Sequence, residues 1–117
     1  MNWFKREFTS FTHTVRGVIT AWDEVHYRYH VLIAIIMTII GFVVGLSATE
    51  WIAQTIVLFM LIIAEVINTV AEEICNFVHP EKHPAIKKIK DMAGGAVLLS
   101  AICAIIVALI IYLPKFS

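Results

Sequence analysis

Charge is scarce in this chain and leans to neither sign. Nine Lys and Arg side chains face nine Asp and Glu among 117 residues, so the sequence offers no excess of positive charge for holding a nucleic acid. Cysteine is nearly absent. Cys75 and Cys103 lie in no CxxC or Cys/His cluster, which argues against a disulfide framework or a zinc site; both read as small core residues. No internal repeat or low-complexity segment is found. The chain also lacks GxxxxGK[ST], GxGxxG and the protein-kinase loop motifs, so no soluble nucleotide-binding fold is indicated. What it has in quantity is apolar surface. Hydrophobic residues make up 60% of the chain and the mean hydropathy is +0.85, more than a single domain of this length could bury by itself. The bilayer has to be part of the solvent.

The pattern predicts an all-α membrane protein, one domain over 1–117, with an N-terminal amphipathic surface helix and three transmembrane helices. Over 1–23, Phe4, Phe8, Phe11, Val15, Val18 and Trp22 recur at steps of four and three, with Lys5, Arg6, His13 and Arg16 on other faces. Such a stripe suits a helix lying in the membrane interface, although a helix packed on a bundle has the same pattern. Because the stretch is amphipathic, it does not read as a signal peptide, and the first helix is expected in the mature chain. The spans are placed at 31–48, 51–70 and 92–113. Gly41 and Gly45, four apart in the first span, suggest a close helix approach. Ser47-Ala48-Thr49-Glu50 reads as a short turn, Trp51 as an interfacial anchor, and Pro80 and Pro84 as punctuation between the second and third helices. Lys5, Arg6, Arg16 and Arg28 precede the first span, while Lys82, Lys87, Lys88 and Lys90 lie between the second and third. The positive-inside rule therefore puts the N-terminus and the 79–90 loop in the cytoplasm.

The second span carries its polar groups on one side. On a helical wheel Glu72 and Asn76 fall within about 20° of Glu65, and Asn68 about 60° away. A carboxylate in hydrocarbon is costly and marks a functional site by default; the bland alternative is a Glu65 that only holds helices together. Glu24 before the first span and Lys90-Asp91 at the head of the third meet the same boundary. Carboxylates beside a lysine suit a magnesium-bound phosphate, though an interfacial salt-bridge network would use the same residues. His13, His26, His30 and His79 do not share metal-ligand spacing and read as interfacial or hydrogen-bonding groups. Gly94-Gly95-Ala96 lies inside an apolar run and reads as a helix-packing stretch.

Four stretches carry a resemblance: Glu24-xx-Tyr27-Arg28-x-His30, Glu65-xx-Asn68-Thr69-xx-Glu72, Glu81-x-His83, and Lys90-Asp91 followed by Gly95-Ala96-Val97-Leu98. Together they resemble the small prokaryotic diacylglycerol kinase and undecaprenol kinase family over nearly the whole chain. The resemblance implies a homotrimer in the cytoplasmic membrane that moves the γ-phosphoryl of Mg-ATP to a lipid hydroxyl, with the active site facing the cytoplasm. It implies Glu65 as the catalytic base at the lipid hydroxyl with Asn68 beside it, Glu24 and Glu72 as holders of Mg2+ and nucleotide, and Glu81, His83, Lys90 and Asp91 as nucleotide contacts. Asn76 departs from the family pattern, which has an aspartate there. Undecaprenol is the expected acceptor, with diacylglycerol the alternative. Outside the kinases, a small proton-coupled transporter subunit would also place Glu65 and Glu72 in a membrane, and a non-catalytic membrane scaffold is a third reading.

Overall fold

The computed structural model describes residues 2–117, and Met1 of the expected surface helix lies outside them. Four α-helices follow one another: α1 (Trp3–Thr20), α2 (Val25–Val44), α3 (Ala48–Val78) and α4 (Pro84–Phe116). Each start is set by a polar side chain that takes up an otherwise unpaired backbone N–H. Asn2 accepts from Lys5, Glu24 from His26 and Ser47 from Glu50, and the His83 ring accepts from Ala85.

At the head of α3 the bonding is reciprocal, because Glu50 returns a bond to the Ser47 N–H. That capping box makes Ser47-Ala48-Thr49-Glu50 the start of a helix, where the sequence reading had only a turn. Pro84 is at the first helical position of α4, where a missing N–H costs nothing. Pro114 does not end α4; it lies inside the last turn, close enough to the chain end that few hydrogen bonds are lost.

Helix α1 buries no residue, so bundle packing does not explain its amphipathic stripe. Trp3, Phe4, Phe8 and Phe11 are exposed along it, as suits a helix lying on a bilayer. A short 3-10 turn over Ala21–Asp23 leads into α2. Helices α2, α3 and α4 are each long and apolar enough to cross a membrane, and α3 packs between the other two in up-down order. Its inward face supplies most of the core, with Val57, Leu58, Leu61 and Cys75 buried beside Tyr27 of α2 and Ile111 of α4. Large apolar side chains over the rest of the bundle remain exposed, which would be prohibitive in water and is ordinary in lipid.

The two glycines of α2 do different things. A Cβ on Gly41 would lie 2.8 Å from the Trp51 ring, so Gly41 admits the close approach of α3. Gly45 has φ +83° and caps α2 in the left-handed region, the conformation that glycine adopts without strain. It ends the helix, whereas the sequence reading gave it a packing role. Along α3, Glu50 and Glu72 are 22 positions apart, about 33 Å at the α-helical rise. That is close to the ~30 Å hydrocarbon thickness of a bilayer.

Candidate active site

Glu65 is the organising residue. Its accessible surface is 3% of the maximum, and it sits on α3 about 10 Å inward of Glu72 along the helix axis. His30 of α2 meets it, with Nε2 3.5 Å from Glu65 Oε2. One turn on, Asn68 donates from Nδ2 to Glu72 Oε1 at 3.4 Å, and the Thr69 hydroxyl returns a bond to the Glu65 carbonyl. Two buried side-chain polar atoms among the described residues have no hydrogen-bond partner, and both flank Glu65: His30 Nδ1 and Asn68 Oδ1. Buried polar groups are normally satisfied because stranding one costs about 1–3 kcal/mol. Both atoms can still take a hydrogen-bond partner from outside this chain.

Glu24 lies level with Glu72. The helices run antiparallel, and Glu24 is six residues before His30 while Glu72 is seven after Glu65. Both carboxylates are therefore about 9–10 Å below the His30 contact. Among the described residues no three His, Cys, Asp or Glu side chains form a metal cluster. Two carboxylates at one level still match magnesium held with a phosphate, which takes one or two protein carboxylates and fills its shell with phosphate oxygens and water.

The remaining site residues gather at the 79–91 bend. Glu81, His83, Lys90 and Asp91 all line one concavity of about 590 Å³. His79 links two members of the bend, lying 3.7 Å from the Glu81 carboxylate and edge-on to the His83 ring. Lys90 Nζ donates to Asn76 Oδ1 at 2.9 Å, so this carboxamide holds the lysine through its carbonyl oxygen. Asp91 accepts from Lys87 at 2.6 Å. That hydrogen bond, in the solvated part of α4 before the span, holds the Lys87 ammonium above the ordinary lysine range. Glu65 thus lies about 16 Å along α3 from Asn76, where Lys90 of the bend is held, and Glu72 lies between them. The sequence reading grouped these residues at one depth; along α3 they extend from the buried Glu65 through Glu72 to the bend.

A second polar cluster escaped the sequence reading. Gln54, 4% exposed, donates from Nε2 to the Met37 carbonyl and accepts the Tyr112 hydroxyl on Oε1, tying all three spans together. Beyond it Lys115 pairs with Glu50 at 3.0 Å. The available signal was a carboxamide inside an apolar run with a tyrosine in another, since polar groups in hydrocarbon seek each other. Between this cluster and His30 runs an apolar cavity of about 270 Å³ lined by all three spans.

An all-helical bundle with three membrane-length helices, a buried carboxylate and a nearby polar bend defines a class, the small multi-pass membrane proteins. Within it, the chain belongs to the prokaryotic diacylglycerol kinase family, whose model matches residues 12–112. It is similar to an undecaprenol kinase of Bacillus subtilis, with 36% identity over 115 residues, covering 97% of this chain and 94% of the relative. It also resembles diacylglycerol kinases from two Helicobacter pylori strains, at 31% identity over 100 residues, 85% of this chain and 78% of theirs. The protein is therefore an ATP-using lipid kinase of the membrane, and the transporter and scaffold readings fall away.

Proposed function

We propose that this chain phosphorylates undecaprenol at the cytoplasmic face of the inner membrane, as a Mg2+-dependent homotrimer and one domain over 1–117; diacylglycerol is the alternative acceptor. The observation that carries the site is the buried Glu65 carboxylate with unpartnered His30 Nδ1 and Asn68 Oδ1 on either side. In this reading Glu65 takes the proton of the lipid hydroxyl as that oxygen bonds to the γ-phosphorus. The bond from phosphorus to the β–γ bridging oxygen breaks, and its electron pair leaves with ADP. Asn68 steadies the reacting groups beside the base. Lys90 offsets phosphate charge, and Glu81, His83 and Asp91 complete the nucleotide contacts around the bend. Magnesium, held through Glu24 and Glu72, would neutralise charge on the phosphate oxygens.

The preference for undecaprenol rests on the higher identity and fuller coverage of the relative bearing that name. Orientation rests on the lysines of the 79–90 loop. The trimer follows the family resemblance, and it would allow a neighbouring bend to approach Glu65 more closely than this chain's own bend, which is held at Asn76 about 16 Å away along α3. Transfer of labelled phosphate from Mg-ATP in mixed micelles, with both lipids offered side by side, tests the reading. Labelled undecaprenol from wild type and none from Glu65→Gln is expected. Preferential labelling of diacylglycerol would reverse the acceptor, and wild-type rates in Glu65→Gln would remove the base.

A further inference from the structure

We infer that His30 is a positioning residue for the kinase reaction, fixing the Glu65 carboxylate through Oε2 so that Oε1 is free to meet the acceptor hydroxyl. This rests on the proposed role of Glu65 as base. Three observations converge on it. Glu65 is almost wholly buried, and the His30 ring, from a different helix, lies 3.5 Å from its carboxylate. That separation is longer than a mature hydrogen bond, as contacts at active sites often are before substrate binds. The ring is itself mostly buried and forms part of the wall of the apolar cavity between the three spans, where a short-range interaction is little screened. Its other nitrogen, Nδ1, is buried without a partner. A histidine whose only task was to join α2 to α3 would be expected to use both ring nitrogens or expose one.

An Nε2–H aimed at Glu65 leaves Nδ1 as an acceptor, so the same ring that orients the base carries a second polar atom near it. The ring also decides which carboxylate oxygen is engaged. A base whose two oxygens exchange freely would spend only part of its time aligned with the lipid hydroxyl. Misplacement of about 1 Å can cost on the order of 100-fold in rate.

The test measures kcat and the KM values for ATP and lipid in the full-length protein in mixed micelles, using whichever lipid the wild type accepts. Expected is a fall in kcat on the order of 10- to 100-fold in His30→Leu, with KM for ATP within about twofold of wild type. His30→Gln, which keeps an N–H donor at similar reach, should recover most of that loss, and His30→Asn, one methylene shorter, should not. A wild-type kcat in His30→Leu, or equal losses in the Gln and Asn variants, would overturn the inference. If His30→Leu does not assemble, the Gln and Asn pair decides alone. Active wild type, inactive Glu65→Gln and indifferent His30 variants sink this inference while leaving the kinase reading intact. Absence of transfer by folded wild type would take both down.

Discussion

The two ends of α3 solve the same problem in opposite ways. Both bring polar groups into an apolar bundle. At the Glu50 end the groups answer one another: Gln54 uses its amide nitrogen on Met37 and its oxygen on Tyr112, while Glu50 bonds the Ser47 N–H and pairs with Lys115. At the Glu65 end the carboxylate is as buried as Gln54, yet His30 Nδ1 and Asn68 Oδ1 are left without partners. Satisfied polar groups within a bundle act as fasteners. Unsatisfied ones are tolerated when something else completes them, and in the proposed reaction that is the substrate. Substitution at the two ends should therefore separate stability from activity.

The largest effect is expected at Glu65. Glu65→Gln keeps the size and hydrogen-bonding outline of the side chain but cannot take a proton, so transfer should fall by on the order of 100- to 10,000-fold, with thermal unfolding in micelles close to wild type. A loss of folding matching the loss of transfer would make Glu65 a fastener like Gln54. Asn68→Ala comes next. It removes a buried unpartnered oxygen along with a long bond to Glu72, so kcat should drop roughly tenfold or more while stability barely moves, given how weak a 3.4 Å contact is. A clear drop in unfolding temperature with unchanged kcat would contradict this.

Gln54→Leu should show the reverse. It strands the Tyr112 hydroxyl and removes the second bond to the Met37 carbonyl, costing about 1 kcal/mol of stability, and leaves kcat per folded molecule as it was. Adding Tyr112→Phe should return part of the stability, because both polar partners are then gone. The smallest effect concerns the Glu50 clasp, at the mouth of the bundle outside the hydrocarbon. The Ser47 backbone N–H, with Lys115 adding to it, holds the Glu50 carboxyl below its ordinary value of 4.5. A depressed carboxyl contributes stability that is fully present above pH 4.5 and is lost as the pH falls through the folded value. Unfolding followed below pH 5 should thus be steeper in wild type than in Glu50→Gln, and identical slopes would show the clasp to be idle.

Much of this was legible in the sequence because membranes impose strong rules. Apolar runs of bilayer length, lysines around one loop and a periodic aromatic stripe require an all-helical multi-pass chain, and Glu65 declares itself by being costly where it lies. The Ser47 to Glu50 cap was legible too, as a Ser-x-x-Glu signature ahead of an apolar run, though a turn was read there. Gly41 and Gly45 look alike in sequence. Only the backbone, helical at one and left-handed at the other, distinguishes a packing glycine from a terminating one.

The sequence by itself determined the membrane class, the helical spans, the family and the identity of the polar residues available for chemistry. Hydropathy, spacing and charge are local quantities, and each can be read one residue after another. Only the tertiary structure decided the pairings: that His30 reaches Glu65, that Gln54 joins Met37 and Tyr112, and that the bend residues gather apart from the buried carboxylate. Those depend on the relative rotation and depth of helices separated by up to 58 residues in the chain. Ridge-into-groove packing of whole helix faces sets that rotation, and no local pattern encodes it.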